Sequence, residues 1–189
     1  MARAVEYGEL SLQKAPTLGD KAWAQRSLGW VLCRSGETAR GIELLTTVLP
    51  ILRGGQFISS EIPLLCLLGE GYWLSREDDK AKQMFEESLE MAERYGVRYY
   101  AGFAQRLLGE MDLKTNPAQA EIHFKRSIAV LQEIKAENEL ALAYKGYGRL
   151  HKQQNQIAQA KEYLMKALKI FERLGTLLEP DKVREILAE

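Results

Sequence analysis

The sequence predicts an all-α fold, a solenoid of stacked antiparallel helix hairpins. Small residues recur in three sets with a period of 39 or 40 residues, and apolar residues between them follow helical spacing. A fixed period over four copies is the signature of a helical repeat protein. The three sets are Gly29, Gly69, Gly109 and Gly148; Gly41, Ala81, Ala120 and Ala160; and Val48, Ser88, Ser127 and Ala167.

The recurring glycines predict close crossings between paired helices. A glycine in a helix interior costs about 1 kcal/mol relative to alanine, so its recurrence at one spacing requires a compensating gain. We expect each glycine of a first helix to face the small residue of its second helix, where the two backbones approach most closely. The alternative, that the glycines are hinges, does not explain the constant period.

Four repeats of two helices each are predicted at residues 18–55, 58–96, 97–135 and 136–175. A second helix of an incomplete upstream repeat precedes them at residues 2–15, and a capping helix follows at residues 179–189, so that residues 1–189 form a single domain. The N-terminal stretch resembles a second helix whose first helix is missing. This suggests that the chain is a fragment, and an unpaired helix of this kind would favour self-association.

Turn chemistry marks several helix ends. Asn116 and Pro117 suit an N-cap followed by proline at the first helical position. Glycines at the ends of second helices, at positions 55, 96 and 175, predict C-caps. The third repeat lacks this glycine, so its end is placed near Lys135 from the pattern alone.

These small positions resemble those of the tetratricopeptide repeat family, over about residues 18–175. The period of about 40 exceeds the common 34 residues. The resemblance implies a right-handed superhelix whose first helices line a concave groove. The last 23 residues also resemble the C-terminal ends of bacterial multidomain signalling ATPases and cyclases.

By the same resemblance, groove positions lie three before, one after and four after each glycine of a first helix. Trp30 and Trp73 are either exposed anchors or packed between repeats, and the basic residues form either a half-groove for an acidic peptide or an ordinary solvated surface. No carboxylate clamp is expected, because charged residues replace its asparagines. The predicted partner-binding residues are Arg26, Trp30, Glu70, Trp73, Arg106, Glu110, Lys145, Arg149 and Lys152.

The composition excludes several function classes. Zero net charge favours neither nucleic acid nor an anionic membrane, and no apolar run reaches the length of a membrane span. No catalytic motif, metal-binding set or cofactor loop is present. Cys33 and Cys66 predict no disulfide framework and a cytoplasmic setting, and we expect His123 and His151 to lie on the surface or in the groove.

The function predicted from the sequence is a non-catalytic scaffold that binds a protein or peptide, as part of a larger bacterial signalling protein. Two alternatives share the fold. One is a sensor or autoinhibitory arm that regulates an attached ATPase, cyclase or transcription regulator. The other is a receptor for a peptide or a small ligand.

Overall fold

The computed structural model describes residues 2–188, and all regular secondary structure in this range is helical, which confirms the all-α fold class. Glu189, the last residue of the predicted capping helix, lies outside the described residues. The ten helices in the described range are α1 (Ala2–Lys14), α2 (Leu18–Ser35), α3 (Thr38–Gly54), α4 (Ile58–Leu74), α5 (Asp78–Arg94), α6 (Arg98–Thr115), α7 (Pro117–Glu133), α8 (Glu137–Gln153), α9 (Ile157–Leu174) and α10 (Glu179–Ala188).

Contacts between backbones divide the chain into two compact units, whose boundary between Met91 and Ala92 falls inside α5. In the first unit, α1 packs on α2, α2 on α3, and α3 on α4. In the second unit, α6 packs on α7, α7 on α8, α8 on α9, and α10 on α9. Within each unit, these helices therefore pack on their neighbours in sequence, as expected for stacked hairpins.

Nearly identical turns end most of the helices. Each turn has one residue with a left-handed backbone, and the next N–H donates to the carbonyl five residues earlier, as Phe57 does to Leu52 O at 2.9 Å. This is the Schellman arrangement. Because these residues recur about every 20 positions, α2 to α9 all have 17 or 18 residues. The left-handed residues are Gly36, Gln56, Arg76, Gly96, Lys135, Asn155 and Gly175.

The predicted caps are partly confirmed. Gly96 and Gly175 have φ of 70° and 67°, and the Asn116 side chain accepts a hydrogen bond from Gln119 N at the start of α7. Gly55 directly follows α3 and is its C-cap, as predicted, although its φ is −87° and the left-handed residue of this turn is Gln56.

The glycines lie at close helix crossings, but they face the predicted small residue only in part. Gly29 meets Gly41, whereas the atoms nearest to a Cβ at Gly69 or Gly109 belong to the rings of Phe85 and Phe124. A Cβ on Gly41 of α3 would lie 2.6 Å from the carbonyl oxygen of Gly29 in α2. A Cβ on Gly69 would lie 2.4 Å from the Phe85 ring, and one on Gly148 2.7 Å from Leu164. Real Cβ atoms essentially never approach so closely. The helices run unbroken through these glycines, so they are not hinges.

The repeat register extends into both terminal helices. Gly8 of α1 lies 40 residues before Val48, and a Cβ there would lie 2.9 Å from Leu28 of α2. In α10, Glu179 and Val183 lie 40 residues after Glu139 and Ala143 of α8, and Val183 is fully buried. The terminal helices therefore use the same packing positions as the helices between them.

Candidate functional site

In the first unit, Trp30 is held by two polar side chains. Its indole N–H donates to Glu70 Oε2 at 3.3 Å, and Arg34 donates to the same oxygen at 3.2 Å. The Arg34 guanidinium also lies 5.7 Å from the Trp30 ring centre. The Trp30 side chain nevertheless remains 40% exposed. It is a large aromatic surface fixed in orientation and open to solvent, which is the composition of an interface anchor.

The other two predicted residues of this unit differ in their surroundings. Trp73, one helical turn after Glu70, is half-buried. Arg26 is also half-buried, and its guanidinium lies 4.3 Å from the ring centre of Trp23. A cation over an indole face is a favourable pair.

In the second unit, Arg106 is buried in an ion pair. Its Nε donates to Glu139 Oε2 at 2.9 Å, and the two side chains are about 10% and 8% exposed. The guanidinium also lies 4.9 Å from the ring centre of Phe103. Removing one partner of such a buried pair typically costs about 3–5 kcal/mol. Arg106 therefore joins α6 to α8.

The remaining basic residues of the predicted half-groove also have partners within their own unit. Arg149 donates to Glu110 at 2.9 Å, Lys145 donates to Glu179 of α10, and Lys152 donates to the Ile186 carbonyl. Burial raises the pKa of Glu179, but hydrogen bonds from Lys145 and Lys182 outweigh it, so the net pKa is lower than usual. Arg149 and Lys145 are thus neutralised by carboxylates of the chain itself, and Lys152 is held by a backbone carbonyl.

A pocket of about 260 Å³ opens at the ends of α2, α3 and α4 in the first unit. Its apolar wall includes Trp23 and Phe57, which are 65% and 57% exposed. Arg26, Asp20 and Ser60 supply its charged and polar lining. Asp20 accepts a hydrogen bond from the Thr17 hydroxyl at 2.6 Å.

Sequence reasoning missed Arg34, Trp23 and Phe57. Arg34 follows Trp30 by four residues, a spacing that places both on one helix face. This spacing could have identified it. Trp23 corresponds to Pro63, Phe103 and Leu142 in the other repeats, and nothing in those residues indicates that Trp23 is exposed.

The expectation of accessible histidines is wrong. His123 is 8% exposed, and its Nδ1 lies 2.6 Å from Gln105 Oε1. His151 is 7% exposed and packs on Tyr147, with ring centres 4.3 Å apart. Both side chains are part of the packed interior of the second unit.

Cys33 and Cys66 are both buried, and neither forms a disulfide. Burial and, to a smaller extent, the nearby Glu70 raise the Cys33 pKa to about 11, so the thiol stays protonated at neutral pH. Between residues 2 and 188, no three His, Cys, Asp or Glu side chains are placed to hold a metal ion. Within the same range, no helix combines the length and apolarity needed to cross a bilayer.

The fold and these packing positions define a helical repeat protein. Residues 113–173 match the family model described as tetratricopeptide repeat, which confirms the family resemblance over this part of the chain. This segment begins near the end of α6 and reaches almost to the end of α9. No curated protein matches the sequence.

Two solved structures have a similar fold. The apo form of RapI has a TM-score of 0.76 and 15% identity, and the likeness covers 92% of this chain but only 64% of RapI. BtubC (BKLC) from P. vanneervenii has a TM-score of 0.69 and 14% identity, over 99% of this chain and 86% of BtubC. At these identities the likeness concerns the fold alone.

Proposed function

We propose that this chain is a non-catalytic scaffold that binds a peptide or a partner domain on the faces of its first helices. The observation that carries the proposal is Trp30, an exposed indole fixed by Glu70 and Arg34. A rigid, exposed aromatic beside an arginine is the usual composition of an interface hot spot. The match to the tetratricopeptide family supports a repeat scaffold over residues 113–173.

All nine predicted contact residues remain in this proposal, but with different roles. Trp30 and Trp73 offer aromatic surface. Arg26 offers a positive charge that no carboxylate of the described residues neutralises by a direct ion pair. Glu70 orients Trp30. Arg106, Glu110, Lys145, Arg149 and Lys152 are paired within the second unit, so a partner there would have to exchange with those pairs.

The proposal includes a cellular context. We infer a cytoplasmic protein of a bacterial signalling system, attached to a larger regulator such as an ATPase, a cyclase or a transcription regulator. Two buried cysteines that form no disulfide support a reducing compartment. The apo-form structure of RapI, a similar fold, makes a receptor for a peptide or small ligand the second candidate.

The test is selection of peptides from a displayed library against the whole chain. We expect selected peptides to bind Trp30→Ala at least tenfold more weakly, because hot-spot truncation typically costs about 2 kcal/mol or more. Tyr95→Ala is the matched control, since Tyr95 is exposed but lies outside the predicted contact set. Peptides that bind the native chain, Trp30→Ala and Tyr95→Ala equally would refute the proposal. A library that yields no binder would also refute it.

A further inference from the structure

The first and third repeats share an arginine–aromatic pair but differ in its surroundings. In α2, Arg26 lies 4.3 Å from the Trp23 ring centre, and in α6, Arg106 lies 4.9 Å from that of Phe103. Each arginine is the ninth residue of its helix, and each aromatic is the sixth. The two pairs are therefore equivalent positions of the repeat.

Only the Arg106 pair has a carboxylate. Glu139, the third residue of α8, binds Arg106 at 2.9 Å. The third residue of α4, which takes the same place opposite Arg26, is Ser60. Among the described residues no carboxylate lies within ion-pair distance of Arg26. We call an arginine or lysine at this position closed when such a carboxylate pairs with it, and open when none does. Lys145 is also closed, by Glu179, which lies 40 residues after Glu139.

The open position coincides with the 260 Å³ pocket, which both Arg26 and Ser60 line. Most of the remaining lining is apolar, with Val48 and Leu52 buried and Trp23 and Phe57 exposed. Asp20 also lines the pocket, and its carboxylate accepts a hydrogen bond from the Thr17 hydroxyl. In the closed arrangement, Glu139 is followed by Leu140, which is only 8% exposed. A carboxylate beside an apolar side chain is thus what the chain itself places against an equivalent arginine.

We propose that this pocket binds a peptide segment in which an acidic residue stands next to an apolar one. The carboxylate pairs with Arg26 as Glu139 pairs with Arg106, and the apolar side chain enters the pocket against Trp23 and Phe57. This inference rests on the proposed function, because it names the chemistry of one peptide site on the same unit. Trp30 lies one helical turn after Arg26 on α2 but does not line the pocket.

The test is a titration of ¹⁵N-labelled protein with Ac-Ala-Glu-Leu-Ala-NH2, followed through the tryptophan indole N–H resonances. The resonance of Trp23, assigned with Trp23→Phe, should shift, and those of Trp30 and Trp73 should not. Ac-Ala-Gln-Leu-Ala-NH2 should bind about tenfold more weakly, equivalent to about 1.4 kcal/mol, and Ac-Ala-Glu-Ala-Ala-NH2 should also bind more weakly.

Two variants make the test specific. Arg26→Met should abolish the difference between the Glu and Gln peptides, because it removes the group that distinguishes them. Ser60→Glu should restore the closed pair and block binding, while the melting temperature is unchanged or raised. Equal binding of the two peptides to the native protein, or full binding to Ser60→Glu, would overturn the proposal.

Other outcomes have distinct meanings. If Ser60→Glu instead dissociates an oligomer of the native chain, the pocket binds a second copy and the peptide proposal is wrong. If the pocket binds no acidic peptide while library peptides still depend on Trp30, the pocket proposal fails and the scaffold proposal stands. If the pocket binds the acidic peptide but no library peptide depends on Trp30, the pocket proposal stands and the proposal of a scaffold anchored at Trp30 fails.

Discussion

Gly41→Ala should destabilise the first unit, although alanine occupies the equivalent position of the other three repeats. The new Cβ would lie 2.6 Å from Gly29 O and 2.8 Å from Cys33 N, both backbone atoms of α2. Ordinary contacts begin at 3.4 Å, so α2 and α3 would have to separate by roughly 0.8 Å. A side chain could rotate away from such a clash, but a helix backbone cannot.

The expected loss follows from two opposing effects. Overpacking of a core typically costs about 1–3 kcal/mol, and alanine recovers about 1 kcal/mol of helix propensity relative to glycine. We therefore expect a net loss of up to about 2 kcal/mol in the free energy of unfolding relative to the native chain, which lowers the melting temperature by up to about 8 °C in a chain of this length.

Tryptophan fluorescence is the appropriate assay, because Trp23, Trp30 and Trp73 all lie in the first unit. Denaturant unfolding followed at this signal reports on the surroundings of tryptophans in the unit that contains α2 and α3. Gly54→Ala is the matched control in the same helix, since a Cβ there meets nothing within 4 Å. If Gly41→Ala proved as stable as Gly54→Ala, the close-crossing explanation of the glycines would be wrong.

Two further predictions concern the turns and the thiols. Lys135→Gly should raise the free energy of unfolding by about 0.5–1 kcal/mol, because φ at Lys135 is 57° and glycine adopts this conformation without a Cβ clash. The reciprocal substitution Gly175→Lys should lower the free energy of unfolding. Urea unfolding followed by circular dichroism measures both changes. Cys33 should resist iodoacetamide in the native protein at pH 8, as read by peptide mass mapping. Since its folded-state pKa is raised from 9.0 to about 11, its contribution to stability is complete below pH 9 and is lost as the pH rises towards 11.

The helix crossings could be predicted from the sequence because they depend on the absence of a side chain. A glycine has no side chain whose direction must be known, so a fixed period of glycines is sufficient to locate the contact. The turns were less predictable. Gln56 and Lys135 adopt left-handed backbones despite their side chains, because the register of the two flanking helices fixes the turn more strongly than local residue preference does.

The burial and the partners of the polar side chains could not be predicted in the same way. Arg106 was expected in an open groove, and it is buried because Glu139 on the next first helix neutralises it. The sequence predicts His123 on the surface or in the groove, whereas it is buried and hydrogen-bonded to Gln105. Each outcome depends on whether a long side chain on one helix reaches a partner on another, which periodicity alone does not determine.

The same difference between packing and polar positions explains how repeats can share a scaffold and still bind different ligands. Small residues are needed wherever two helices cross, so they recur in every repeat. The third residue of a first helix is under no such constraint, because both Ser60 and Glu139 are accommodated at the start of a helix. We expect that a single substitution at this position adds or removes the carboxylate that pairs with an arginine, without changing the fold. Binding specificity in this chain is therefore expected to lie where equivalent polar positions differ.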